Sequence, residues 1–195
     1  MKIRGRAWVF WGLGVAAASA LVRLPSLNLL LDRDEGEYAT LGWLWRSGAG
    51  LPYRDWLEQK PPLAWLVNAW AQAWFPDGVG GLRLLALLWV AATALALFAV
   101  VDAVGRRGGL GSKLASDGTS RLRAAGLAGL AAALLLSACR SQGIAANTET
   151  WQTLPLVLAV GALFAGPDSP GPRRCLAAGL GIIAAWGAWV LWEFL

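Results

Sequence analysis

The chain has 195 residues, of which 57% are hydrophobic and 15% are charged, and its mean hydropathy is +0.51. A soluble domain of this length carries about 25% charged residues, so the composition excludes an ordinary water-soluble globular protein. The net charge of +5 does not indicate nucleic-acid binding, because the basic residues fall into a few short segments between apolar runs. The sequence has no His, the commonest metal ligand, and we predict no metal site and no cofactor.

Five apolar segments are long enough to cross a bilayer. Four of them contain a run without any charged residue, namely 84–101, 124–139, 150–167 and 175–192, and the first is interrupted only by Arg23. Each is close to the roughly 20 residues that a helix needs to span about 30 Å of hydrocarbon. Because backbone polar groups in lipid must be satisfied internally, we predict that all five are helices. The predicted spans are about 7–31, 82–104, 124–141, 150–166 and 175–195.

The basic residues predict the orientation of these spans. They precede the first span, lie between the second and third, and lie between the fourth and fifth, which are positions on one side if each helix crosses once. The positive-inside rule makes that side the cytoplasm. We therefore predict an all-α, multi-pass protein of the cell (plasma or inner) membrane with a cytoplasmic N-terminus. Binding of lipid headgroups is the alternative role of the basic group between the second and third spans, namely Arg106, Arg107, Lys113, Arg121 and Arg123.

The first outward loop, residues 32–81, is the most unusual segment. Six of the twelve acidic residues fall between Asp32 and Glu58, and six of the thirteen tryptophans fall between Trp43 and Trp74. We predict a short helix from Asp34 to Trp45, with Asp34 as its cap and Glu37 as the capping-box partner. Gly48 or Gly50 would end this helix.

A second loop helix is predicted to begin at Pro62, because proline is favoured at the first helical position. A helical spacing places Leu63, Leu66, Trp70 and Trp74 on one stripe. A short, Trp-rich and nearly uncharged helix suits the membrane interface better than a crossing. The loop is thus predicted to hold two interfacial helices beside an acidic cluster.

An acidic cluster at a membrane surface suits group transfer. A carboxylate can act as a general base toward a hydroxyl, and a nearby Lys or Arg can hold the phosphate of a lipid carrier. These two parts are what an enzyme needs to move a group from a lipid phosphate to an acceptor.

Three motifs of the loop carry a family resemblance: "DEGEYA" at 34–39, "GLPYRDW" at 50–56 and "KPPL" at 60–63. In this order they resemble the first luminal or periplasmic loop of GT-C fold glycosyltransferases, closest to family 39 with its protein O-mannosyltransferases and aminoarabinose transferases. Arg83 at the start of the second span and Glu149 before the fourth fit the same pattern. The resemblance implies transfer of a sugar, with inversion, from a polyprenyl-phosphate donor without a required metal.

The resemblance also implies residue roles. Asp34 is the expected catalytic residue that activates the acceptor hydroxyl, with Glu35 as its partner and Asp55 as a second acid near the acceptor. Lys60 and Arg83 are expected to bind the donor phosphate. The remaining expected site-lining residues are Tyr53, Trp56 and Glu149.

Several of these residues also have a structural alternative. Asp34 can be a helix cap, which is compatible with catalysis, and Asp55 can be a turn residue. Lys60 can neutralise the acidic cluster or extend to headgroups. Arg83 can be an interfacial anchor, and the tryptophans are mostly an aromatic belt.

The resemblance therefore implies a membrane glycosyltransferase that moves a sugar from a polyprenyl-phosphate donor to an acceptor on the outer or luminal face, with membrane lipid as a further partner. The sugar and the acceptor are left open, and no nucleic acid is expected. Members of the family are about two to three times longer, so the resemblance implies an N-terminal portion with a missing C-terminal half or a partner chain, inactive in isolation. Two alternatives are a non-catalytic membrane assembly subunit and a small-solute transporter, which usually places charges at the membrane midplane.

Overall fold

The computed structural model describes residues 2–51, 53–56, 62–75, 79–107, 117–137, 148–164 and 171–186. These residues contain seven α-helices, so the all-α class is confirmed for the described part of the chain. The helices are α1 (Lys2–Arg23), α2 (Arg33–Arg46), α3 (Pro62–Trp74), α4 (Val79–Arg106), α5 (Gly118–Leu135), α6 (Thr148–Phe164) and α7 (Pro172–Trp186).

Among the described residues, two helical segments are long and apolar enough to cross a membrane. They are Gly5–Asn28, which joins α1 to the 3₁₀ turn after it, and Val79–Arg106, which is α4. A third segment, Thr150–Phe164, is apolar but shorter. The first segment keeps large apolar side chains on its outside, where Phe10 is 73% and Leu13 is 66% exposed.

The first helix ends earlier than the predicted span 7–31. The α-helix stops at Arg23, and Leu24–Asn28 continue as a 3₁₀ turn. Pro25 explains the change, because proline has no N–H to donate and its ring clashes with the preceding helical turn. The carbonyl oxygen of Ser26 closes the turn by accepting from the backbone N of Leu29 at 3.1 Å.

Most other helix ends lie within a few residues of the predictions, but α5 spans Gly118–Leu135 and so lies six residues before the predicted 124–141 at both ends. α5 begins six residues before the predicted 124, because Asp117 caps it by accepting from the backbone N of Thr119 and Ser120. The predicted boundary followed the apolar run, whereas the cap lies in the polar segment before it. The last residues of the final predicted span, 187–195, lie outside the described residues.

α1, α4 and α5 pack side by side. The rings of Trp8 and Phe98 lie 5.2 Å apart, and Val15 packs with Ala94, Ala132 and Ala133. These pairings make α1 antiparallel to α4 and parallel to α5. Close approach depends on small residues such as glycine and alanine at the contacts, as is common between apolar helices.

α6 packs against a different face of α4, and α7 packs on α6. The rings of Trp151 and Trp89 are 5.6 Å apart, and the hydroxyls of Thr153 and Thr93 are 3.2 Å apart. The fold is thus a row of antiparallel and parallel helices centred on α4.

α2 and α3 form an antiparallel pair at the end of the row where α4 begins. A side chain on Gly42 would lie 2.7 Å from the backbone N of Ala69, so the two backbones nearly touch. The predicted stripe of α3 faces outward, because Trp70 is 56% and Trp74 is 82% exposed, while Asn68 is buried. An exposed tryptophan face is the arrangement that an interfacial helix would have.

Candidate functional site

The first turn of α2 carries the predicted acidic pair Asp34 and Glu35. Asp32 caps the helix: its Oδ1 accepts from the backbone N of Arg33 at 2.6 Å, and its own backbone N donates to Glu35 Oε2 at 2.8 Å. Asp32 and Glu35 therefore form the capping box. The predicted cap at Asp34, with Glu37 as partner, is wrong by two residues. Asp34 lies inside the first turn and is half-buried.

A buried ion pair joins α2 to α4. Arg83 Nη1 donates to Glu35 Oε1 at 2.6 Å, and the two side chains are 3% and 0% exposed. Arg83 Nη2 donates to the carbonyl oxygen of Leu30 at 2.8 Å. Each carboxylate oxygen of Glu35 thus has a donor, which is the condition under which a buried pair is tolerated. The pair fixes the start of α2 on the start of α4, while the predicted catalytic and phosphate-binding roles of its two members stay predictions.

Arg23 belongs to the same buried group and was not predicted. Its side chain is fully buried at the end of α1, and its Nη1 donates to the carbonyl oxygen of Leu136 at 3.0 Å. It lies close enough to Arg83 and Glu35 to interact with both charges. The sequence did indicate Arg23, because a single charged residue inside an apolar run usually pairs with another polar group or belongs to a functional site.

The second predicted motif forms a tight turn beyond α2. Tyr53 has a left-handed backbone (φ 66°), and its hydroxyl accepts from Trp65 Nε1 at 3.3 Å. A side chain on Gly50 would lie 2.9 Å from both Asp55 Oδ2 and the ring of Trp56, so the turn closes around a glycine. Trp56 is half-buried in this turn. Tyr53 and Trp56 are thus held at the α3 side of the loop.

Asp55 is engaged by local donors. Its Oδ2 accepts from Arg54 Nη2 at 2.8 Å and from the backbone N of Leu51 at 2.7 Å. The hydrogen bonds from Arg54 and then Leu51 hold the pKa of the Asp55 carboxyl below its usual value. A lower pKa makes a weaker base, so this environment suits a turn residue better than a proton acceptor.

The two acidic motifs lie at opposite ends of α2. The rings of Trp45 and Trp65 are 5.5 Å apart and Tyr53 contacts Trp65, which places the Tyr53 turn beside the C-terminal end of α2. Asp34 is in the first turn, twelve residues before Arg46, or about 18 Å away at 1.5 Å per residue. The structure therefore brings Glu35 and Arg83 together but does not bring Asp34 and Asp55 together.

The side chains of two predicted site residues lie outside the described part of the chain. Lys60 lies outside the described residues. Glu149 is in the first turn of α6, and its side chain also lies outside the description. Among the described residues, no group of three or more Asp, Glu or Cys side chains is arranged to hold a metal ion.

A cavity of about 370 Å³ opens between α2, α3 and the start of α4. Its volume lies within the range of small-molecule sites. The lining combines an aromatic ring, a cation and two amides, namely Trp43, Arg46, Asn68 and Gln72, with apolar residues that include Phe75. We call it the outer cavity.

The amides of the outer cavity are held in place by the backbone. Asn68 is 1% exposed, and its Nδ2 donates to the carbonyl oxygen of Ala64 at 2.8 Å. Gln72 Nε2 donates to the carbonyl oxygen of Ala39 at 2.7 Å. Asn68 Oδ1 has no hydrogen-bond partner within the described residues. A buried acceptor without a donor is costly, so this atom suits a ligand hydroxyl. Neither amide was predicted as a site residue, and only their place among apolar neighbours could have indicated it.

In comparisons with family models, curated proteins and solved structures, nothing matches this chain. The likeness to GT-C glycosyltransferases therefore stays a prediction from the motifs, and the case for function is made from the site geometry.

Proposed function

We propose that this chain belongs to a multi-pass membrane glycosyltransferase that moves a sugar from a polyprenyl-phosphate donor to an acceptor on the outer face of the membrane. The proposed topology has five crossing helices, a cytoplasmic N-terminus and the loop of α2 and α3 on the outside.

The topology is supported by where charged side chains gather. Arg106 and Arg121 line one cavity beside the start of α1, at the end of the helix row that the positive-inside rule assigns to the cytoplasm. The buried pair of Glu35 and Arg83 lies at the opposite end, where α2 and α3 cover the row.

The observation that carries the proposal is that the three acidic residues at the start of α2 have different hydrogen-bond partners. Asp32 is the cap and Glu35 is bound by Arg83, while no hydrogen bond within the described residues engages Asp34. Asp34 is half-buried beside this pair. A general base needs an available carboxylate on a rigid element, and Asp34 meets both conditions.

The outer cavity supports a sugar as the transferred group. Aromatic rings cover the apolar faces of sugars, and amide and guanidinium groups bind their hydroxyls. Trp43, Asn68, Gln72 and Arg46 supply these groups in one cavity next to α2.

The proposed step balances as a displacement. Asp34 accepts the proton of the acceptor hydroxyl, and the acceptor oxygen forms a bond to the anomeric carbon. The bond from that carbon to the carrier phosphate oxygen breaks, and the polyprenyl phosphate leaves with the electron pair. Lys60 is the proposed partner of the leaving phosphate.

The test compares Asp34→Asn with Asp32→Asn. The assay measures transfer of the radiolabelled sugar from polyprenyl-phosphate donors. It uses membranes of cells that express the complete gene. We expect Asp34→Asn to lower activity about a hundredfold or more, the scale of a lost general base. Asp32→Asn makes the same chemical change two residues away, and asparagine caps as well as aspartate, so its activity should stay near wild type.

Other outcomes redirect the proposal. Full activity of Asp34→Asn would leave the transferase in place and move the base, with Asp55 as the next candidate. Lack of transfer from every donor by a folded wild-type protein would favour a non-catalytic assembly subunit. One observation already favours that second candidate: Glu35 and Arg83, two of the predicted site residues, neutralise each other in a buried pair.

A further inference from the structure

A second cavity, of about 390 Å³, lies at the other end of the helix row. It is lined by Gly5 and Trp8 of α1, Asp102 and Arg106 of α4, and Arg121 and Leu122 of α5. We call it the inner cavity. Its volume falls in the range of small-molecule sites, and three helices contribute to its wall.

A buried carboxylate organises two arginines in the inner cavity. Asp102 is fully buried, and its Oδ1 accepts from Arg121 Nε at 2.9 Å. Arg106 Nη1 lies 2.8 Å from Asp102 Oδ2. One carboxylate thus faces two guanidinium groups, and the cluster keeps a net charge of +1.

The two arginines of the cluster have N–H donors that Asp102 does not use. The side chain of Arg121 is only 9% exposed, yet within the described residues its one hydrogen bond uses Nε and leaves both Nη groups without an acceptor. Arg106 is 55% exposed and offers further N–H groups. A guanidinium has five N–H donors in a fixed fork, and that fork matches phosphate oxygens.

From this geometry we propose that the inner cavity binds a phosphate group, with Arg106 and Arg121 as its donors. The phosphate of an anionic lipid headgroup fits best. Trp8, 40% exposed, stands in the wall as tryptophans do at the membrane interface. On another face of α1, Phe10 and Leu13 are exposed and can contact acyl chains. The inference rests on α1 and α4 crossing the membrane and does not depend on transferase activity.

The experiment measures binding to the detergent-purified protein by native mass spectrometry. The probes are phosphatidylglycerol, phosphatidylcholine and, as a soluble phosphate ester, glycerol phosphate. We expect phosphatidylglycerol to bind at least tenfold more tightly than phosphatidylcholine. Tighter binding of phosphatidylglycerol than of glycerol phosphate supports a lipid source for the phosphate, and equal binding supports a soluble one.

Arg106→Gln and Arg107→Gln form the matched pair of variants. Both remove one exposed positive charge from adjacent positions, but only Arg106 lines the cavity. Arg106→Gln should weaken phosphatidylglycerol binding about tenfold or more, the effect of losing one charge-assisted hydrogen bond. Arg107→Gln should change it less than about twofold.

Folding is controlled because Asp102 keeps its buried partner Arg121 in both variants. Arg106→Gln also loses the contact with Asp102 Oδ2, so its thermal unfolding midpoint without lipid should fall by a few degrees at most, and that of Arg107→Gln should match wild type. Equal weakening by both variants would mean diffuse attraction to anionic lipid and would overturn the proposed site. Equal binding of phosphatidylglycerol and phosphatidylcholine would overturn it as well.

Discussion

Glu35 takes part in both the cap of α2 and the ion pair with Arg83. One carboxylate oxygen accepts from the backbone N of Asp32 and completes the helix cap, and the other accepts from Arg83. The cap is local, whereas Arg83 is 48 residues away in sequence. The side chain therefore couples the start of α2 to the start of α4, and its loss affects both.

Arg83→Met should reduce the free energy of unfolding by about 3–5 kcal/mol, because it leaves the buried Glu35 charge without its partner. Adding Glu35→Gln should recover part of this loss, since glutamine keeps the capping box and removes the charge. Unfolding in mixed detergent micelles, followed by circular dichroism, measures both.

The exposed pair of Arg54 and Asp55 supplies the control. Arg54 is 70% exposed, so Arg54→Met should leave the unfolding transition unchanged. Strictly additive effects of Arg83→Met and Glu35→Gln would show that the two side chains act independently and would contradict the ion pair's structural role.

The capping register shows why residue roles were only partly predictable. Asp32 with Glu35 and Asp34 with Glu37 have the same three-residue spacing, so the pattern alone cannot choose between them. The structure chooses the pair whose glutamate also reaches Arg83. That contact comes from a distant part of the chain, which no local pattern contains. Gln72 was missed for a similar reason, because its partner Ala39 is 33 residues away in sequence.

At the level of elements, α2 and α3 depend on one close approach. A side chain on Gly42 would meet backbone atoms of α3, 2.7 Å from the Ala69 nitrogen and 2.9 Å from the Trp65 oxygen. Backbone cannot move aside as a flexible side chain can. The pairing of these helices, and with it the outer cavity between them, therefore requires glycine at this position.

Gly42→Ala should destabilise the α2–α3 pair by about 1–3 kcal/mol, the typical cost of forcing extra volume into a packed contact. Gly36→Ala in the same helix is the control, because a side chain there has nothing within 4 Å. It should be neutral or stabilising by up to about 1 kcal/mol, since alanine favours helix over glycine. Amide hydrogen exchange of α2 and α3 measures the difference, and equal exchange in both variants would contradict the close contact.

Helix existence was more predictable than helix ends. The helix predicted at 34–45 is observed as Arg33–Arg46, and α3 begins at Pro62 as predicted. Apolar length and proline position are local properties, so the sequence carries them directly. The end of α1 and the start of α5 differ from the prediction because Pro25 and the Asp117 cap act outside the apolar periodicity.

On the scale of the whole molecule, charge is divided between the two ends of the helix row. Asp102, Arg106 and Arg121 lie at one end, and Glu35 and Arg83 lie at the other. The middle of α4 between them is apolar, with Val90, Ala94 and Phe98 fully buried. This division is what the proposed topology requires.

The topology predicts opposite labelling of two exposed positions. In a background with Cys139→Ala and Cys175→Ala, Arg54→Cys should react with a membrane-impermeant maleimide on intact cells or spheroplasts. Arg107→Cys should react only after permeabilisation. Both arginines are exposed, so access to the reagent depends on the side of the membrane rather than on burial. Labelling of both positions in sealed cells would contradict the proposed orientation.

The ion pair between Glu35 and Arg83 also has a consequence for biosynthesis. Glu35 leaves the ribosome 48 residues before Arg83, and α4 enters the membrane only afterwards. In the proposed topology the two charges meet only if α4 inserts with its first residue on the same side as the loop. A helix inserted the other way would strand each charge on its own side of the bilayer without a partner. The ion pair can therefore form only in the proposed orientation of α4, and it stabilises that orientation over the inverted one.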